Sequence, residues 1–250
     1  MDVLNALMLQ IEWGADEALD ERPLDRRTAP APQMETRPPT PPPAPTALAA
    51  PAATPLVRAQ ALAEGAADLD ALRAALASFD GCALRTTATN LVFAEGNPDS
   101  GLVLVADVPG AAEDRAGTPF AGPTGLFLDR MLASVRLDRS HAYMTCLVPW
   151  RPPGDRKPTE TEVQLCLPFL LRHLALLQPK RVVLFGALAA RALLPAAGRR
   201  QRGWRSLAVP ERDPVPALAL AGLAHIQATP AAKRDAWSDL LLLRRALDDD

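Results

Sequence analysis

Cysteine is scarce in this chain, and its scarcity excludes a class. Three thiols, Cys82, Cys146 and Cys166, are too few and too scattered for the disulfide framework of a secreted scaffold. An excess of charge of one sign is also missing: 27 Lys and Arg stand against 29 Asp and Glu. A global basic field is therefore excluded, and any hold on nucleic acid must come from a local patch. No apolar run approaches the roughly 18 residues that a membrane span needs. No signal peptide is expected, because Asp16, Glu17 and Asp20 follow the first apolar stretch where a small-residue cleavage site would stand. Together these absences lead us to expect a soluble, cytoplasmic chain with no membrane partner.

Proline, by contrast, is abundant and unevenly placed. Residues 1–21 carry Leu4, Leu7, Ile11 and Trp13 at roughly helical spacing, with acids at the end, which predicts a short amphipathic helix. It reads either as a docking segment for a protein partner or as a frayed terminal turn. Residues 22–55 are built from Pro, Ala and Thr, including Pro41-Pro42-Pro43, and cannot bury a core, so they are expected to form a disordered linker. The remaining 56–250 leaves room for one domain, expected to act as a monomer.

Within that domain, apolar runs alternate with amphipathic segments. The expected order is a helix over 68–79 with Asp68 as its N-cap, a strand at Leu91–Phe93 and a turn at Gly96-Asn97-Pro98. Strands then follow at 102–106, 142–148, 181–185 and 216–221, with helices at 124–135, 159–176, 186–194 and 230–247. This alternation argues for an α/β fold: three layers, α/β/α, around a mostly parallel sheet of four to five strands. Ligands of such sheets bind beyond the carboxyl ends of the strands, so the loops after Val105, Val148 and Leu220 are the places to look.

Those loops contain the most distinctive residues of the chain. Val103 to Val105 runs into a turn with Pro109 and Gly110, then Glu113 and Asp114, then Phe120 and a Gly-rich helix start; a second apolar run ends in WRPPGDRKPT. In order and spacing this resembles the family 4 (iron–sulfur) uracil-DNA glycosylases, with their GEAPG, PF-x-G and N-V-x-x-C-R-P-P-G-N-R segments. The resemblance covers about residues 68–247. It implies the uracil-DNA glycosylase fold, DNA as partner (single-stranded or uracil-containing), and a pocket for an extruded base.

The resemblance also assigns roles. Phe120 falls on the base-stacking position, the alternative being an ordinary core aromatic. Asp107 stands on the Glu of GEAPG and Glu113 on a further acidic position; each would orient water or stabilise positive charge at the sugar. The alternative is that Asp107 caps a turn and Glu113 lies on a solvated helix end. Pro109 and Gly110 match the family and bring backbone close to the base. Two positions depart from it. The Asn that reads the uracil edge is Cys146 here, and a thiol is a poor substitute for an amide that pairs twice. The His of the family's H-P-A-Y-L-L-R is Gly222, with His225 three residues on.

The four cluster-ligand positions read Phe79, Cys82, Trp150 and Cys166, so the expectation is that the iron–sulfur cluster is lost and no metal is bound, Cys82 and Cys166 being leftover ligand positions. DNA contact is expected from Arg151, Pro152, Pro153, Gly154, Arg156 and Lys157 on one loop, and from Arg202, Gly203 and Trp204, flanked by Arg199, Arg200 and Arg205, on another. The sequence thus favours a uracil-DNA glycosylase-like DNA-binding protein with weak or absent N-glycosidic hydrolysis. The alternatives are a divergent active glycosylase with altered base preference, and a non-catalytic interaction scaffold.

Overall fold

The computed structural model describes residues 53–194 and 202–249, all within one unit, Pro51–Asp250. The expected helix over 1–21 and its partner, most of the 22–55 linker, and Arg199 and Arg200 lie outside the described residues.

Three helices lead the domain: α1 (Pro55–Glu64), α2 (Leu69–Ser78) and the single-turn α3 (Leu84–Thr87). Asp68 caps α2 as expected, its carboxylate accepting from Ala71 N at 2.7 Å. Then come β1 (Ala94–Gly96), β2 (Leu102–Ala106), α4 (Ala111–Ala116), α5 (Gly122–Ser134), β3 (Tyr143–Cys146), α6 (Glu160–Leu177), β4 (Arg181–Phe185) and α7 (Ala187–Leu193). The chain closes with β5 (Arg205–Leu207), β6 (Val215–Leu220), α8 (Leu223–Ala228) and α9 (Pro230–Asp248). Among the described residues, no helix is long and apolar enough to cross a membrane.

The sheet order is β1-β3-β2-β4-β6-β5. The four inner strands are parallel, and the two edge strands are antiparallel to their neighbours. Alternation along the inner strands divides the core. Val103, Val105, Tyr143, Val182 and Leu184 pack with α1, α2, α6 and α7. Leu102, Leu104, Met144, Val183 and Phe185 pack with α5, α8 and α9. A period-2 strand buried on both faces needs helices on both sides, and the three-layer α/β/α arrangement follows.

Helices α1, α3, α4 and α8 are absent from the expected order, and two details of the sheet also differ from the sequence reading. Among the described residues the sheet has six strands, because β5 is a three-residue edge strand visible only once β6 is in place to pair with it. The first strand is shifted: Leu91–Phe93 lies outside the ladder, although Val92 N donates to Pro149 O at 2.9 Å, and pairing with β3 begins at Ala94. Apolar content marked the buried stretch, whereas pairing is set by what the neighbouring strand offers.

Candidate functional site

The carboxyl ends of β2, β3, β4 and β6 open onto one side of the sheet, and the loops that leave them bring most of the predicted residues together. Asp107, directly after β2, reaches across to the start of α7. Its Oδ1 accepts from Ala189 N at 2.7 Å and its Oδ2 from Leu188 N at 3.2 Å. Burial raises its pKa, and these two N–H groups counter part of that rise. Its neighbour in space, Gly186, has φ +126, and a Cβ there would lie 2.1 Å from the Asp107 carboxylate. Only glycine fits.

Two residues after Asp107, Pro109 is buried, and Gly110 starts α4 with its N–H donating to Glu113 Oε2 at 3.0 Å. Glu113 thus closes the first turn of α4 in the manner of a capping box. Its neighbour Asp114, unassigned from sequence, is 3% exposed and accepts from Thr89 N and Thr89 Oγ1, both at 2.9 Å, and from Asn90 N at 3.2 Å. That network pins the 88–90 loop beneath the site.

Phe120 is 3% exposed and sits in the second core layer, edge-on to Phe185 with ring centroids 5.9 Å apart. Its backbone is left-handed, φ +52. Arg139 holds it there, with Nη2 donating to the Phe120 carbonyl at 2.8 Å, Nε to Asp129 at 2.7 Å and Nη1 to Glu95 at 3.1 Å. Arg139 lies in a short 3-10 turn before β3 and had no signal in the sequence.

Cys146 ends β3, 5% exposed, and burial pushes its thiol far above the ordinary range, so it is neutral at physiological pH. The carboxylates of Glu113 and Asp107 push it in the same direction, which places all three groups in one electrostatic neighbourhood. Gly222 follows β6 as the N-cap of α8, between Leu220 and Leu223 of the cluster that holds Phe120. A Cβ added at Gly222 would meet nothing within 4 Å. His225 is exposed, one turn into α8.

The cationic loops are less free than their composition suggested. Arg151 forms a two-pronged pair with Asp155 at 2.8 and 3.0 Å. Arg156 grips Glu162 at 2.6 and 2.9 Å, and that guanidinium pulls the Glu162 pKa down to about 2. Pro152 is buried and Pro153 exposed, while Gly154 has φ +65 with open space around it and Lys157 is exposed. Arg202 pairs with Asp235 and lies 3.7 Å from Asp239. Gly203 has φ +95, also in open space, and Trp204 packs against the second core layer.

Comparison with known proteins agrees with this layout. A family model described as the uracil DNA glycosylase superfamily matches residues 93–241. The type-4 uracil-DNA glycosylase of Pyrobaculum aerophilum is 37% identical over 133 residues, 53% of this chain and 68% of that protein. Its counterpart in Archaeoglobus fulgidus is 41% identical over 109 residues, 44% of this chain and 55% of that protein. The one in Thermotoga maritima is 38% identical over 108 residues, 43% and 56% respectively. The matched stretch spans little more than half the length of the latter two.

Proposed function

Because the chain belongs to the uracil DNA glycosylase superfamily, we propose that it is a DNA-binding protein of base-excision repair whose own N-glycosidic hydrolysis is weak or absent. The observation that carries this reading is the chemistry left at the ends of β3 and β6. Excision needs donors aimed at the base edge and at the charge that develops on the leaving base. Cys146 offers a buried neutral thiol, and Gly222 offers no side chain. The two acids are engaged as well: Asp107 with the first N–H groups of α7, Glu113 with Gly110 N. Removing one such donor typically costs on the order of 100- to 1000-fold in rate.

DNA would be held by the 151–157 loop, with Lys157 and the partly paired Arg151 and Arg156, and by Arg202, Gly203 and Trp204 on the second loop. The exposed pairs, Arg151 with Asp155 and Arg202 with Asp235, exchange readily for phosphate because such pairs are weak in water, whereas the buried Glu162 holds Arg156 more firmly. A four-iron cluster does not fit the residues present. Phe79 and Trp150 are buried to within 2% and share the first core cluster with Cys82 and Cys166. The neighbouring Cys166 thiol draws the Cys82 pKa down to about 7. Two thiolates fall short of the four that a cluster takes, and no step of this reading involves a metal.

The test uses duplex and single-stranded oligonucleotides with one central uracil, incubated with excess protein and then treated with alkali, while binding is followed against salt. No strand cleavage, together with salt-sensitive binding, supports the proposal. Cleavage that vanishes in Phe120→Ala and Asp107→Ala overturns it in favour of a divergent active glycosylase. Neither cleavage nor binding leaves only a scaffold.

A further inference from the structure

Among the described residues, the second helical layer leaves an apolar face uncovered. Between α5 and α9, with α8 at its base, runs a groove of about 230 Å3 whose floor is made by Met131, Ile226 and Leu240. Trp237 on α9, 45% exposed, lines it, and Leu126 on α5 and Leu241 on α9, 60% and 36% exposed, stand four residues along their helices from the lining residues Arg130 and Trp237. These are three of the five large apolar side chains exposed among the described residues. Isolated exposed apolar side chains need no explanation, but three on the two helices that wall a concave apolar floor mark an interaction surface.

Charge around the groove has one sign. Among the described residues, Arg130 on α5 and Lys233 on α9 are its only charged lining residues, one on each wall. Both are exposed, and neither forms an ion pair among the described residues. The acids of the same two helices are engaged elsewhere: Asp129 with Arg139, Asp235 and Asp239 with Arg202, and Asp248 with Arg244. This is the reverse of the 151–157 loop, where Arg151 and Arg156 already carry carboxylate partners.

We propose that the α5–α9 groove docks an acidic amphipathic helix of a partner protein. A helix with apolar residues at i, i+3, i+4 and i+7 lays that stripe on the floor, and carboxylates on its two flanks reach Arg130 and Lys233. Single-stranded nucleic acid matches the surface less well. It wants a continuous basic track and a series of stacking rings. Here the floor is mainly aliphatic, the cations face each other across it, and Trp237 is the one exposed aromatic among the described residues. The inference stands independently of the catalytic reading above.

The experiment uses the full chain and three labelled probes, read by fluorescence anisotropy at low salt. The first is an 18-residue synthetic helix with a Leu stripe flanked by Glu; the second has the same stripe flanked by Lys; the third is a 15-nucleotide oligothymidine. The Glu-flanked peptide is expected to bind at least 10-fold more tightly than the Lys-flanked one. Its binding should fall at least 10-fold in Arg130→Glu/Lys233→Glu and in Trp237→Ala, all of which alter exposed side chains and should leave the melting temperature unchanged. Absent or equal binding of the two peptides overturns the proposal, as does binding that ignores the substitutions. If oligothymidine displaces the peptide and loses its own affinity in the double variant, the surface is a nucleic-acid track instead.

Discussion

Arg139 and Phe120 are joined by a single hydrogen bond, guanidinium Nη2 to backbone carbonyl at 2.8 Å, across 19 residues of sequence. The bond fixes an aromatic residue in a left-handed backbone conformation, φ +52, which costs of order 1–3 kcal/mol and persists only where the surroundings enforce it. Gly125 completes the arrangement, since a Cβ there would lie 1.7 Å from the same carbonyl oxygen. Gly125→Ala should therefore lower stability by about 3 kcal/mol, because backbone must move to admit the methyl. Arg139→Ala should cost about 1–2 kcal/mol, with the partly exposed ion pairs contributing little. Urea denaturation of both variants checks the ranking; a Gly125→Ala protein as stable as the parent would show that the Phe120 carbonyl can swing away freely.

Stability should depend on pH through His173. The ring is buried, stacked on Phe93 at 4.6 Å and hydrogen-bonded to Tyr143 Oη at 2.8 Å, and burial lowers its pKa from 6.5 to about 4. As pH falls through 6.5 the unfolded chain gains this proton first, so stability declines until about pH 4, below which both states carry it. The loss across that window should be roughly 3 kcal/mol. The difference in unfolding free energy between parent and His173→Gln, measured at pH 7 and pH 4.5, isolates this contribution from that of the carboxylates.

Restoring side chains at the strand ends should restore chemistry. Gly222 has φ −61 and open space where a Cβ would go, so a larger residue fits there without strain. Cys146→Asn alone should leave uracil excision near background, because a base reader without a donor for the leaving base stabilises little of the transition state. The double variant Cys146→Asn/Gly222→His should raise single-turnover cleavage of uracil-containing DNA by at least 100-fold over the parent. A double variant that folds and binds DNA yet stays inactive would place the deficit elsewhere, with Asp107 the next suspect.

Asp155 should act as a brake on DNA binding. It occupies both prongs of Arg151, and the solvent-exposed pair screens a cation that phosphate would otherwise engage. Asp155→Asn should tighten binding a few-fold at 50 mM salt and steepen the salt dependence by about one phosphate contact. The measurement is affinity for a fixed duplex at several salt concentrations; unchanged affinity and slope would put Arg151 outside the DNA track.

What was legible in the sequence follows from how local each signal is. The LVLVA run of β2 reads as a doubly buried strand on its own, and its alternate residues do enter the two core layers. The Asp68 cap needs only three residues of context. Arg139 could not be found this way, because its partners Phe120, Asp129 and Glu95 lie 19, 10 and 44 residues off and meet only after the sheet has assembled. The same holds for the cations: the Arg151–Asp155 pair is four residues apart, but the Arg202–Asp235 pair spans 33. Counting arginines near a loop gives the charge available, and folding decides how much of it is already neutralised.

The two edge strands have a consequence for how this protein associates. β1 and β5 are three residues long, and each runs antiparallel to its neighbour. So short a border presents too few unpaired amide and carbonyl groups to template another strand. Aggregation by edge-to-edge addition is thereby disfavoured, and contacts with other molecules are left to helix faces and loops, where side chains choose the partner and the backbone cannot recruit one indiscriminately.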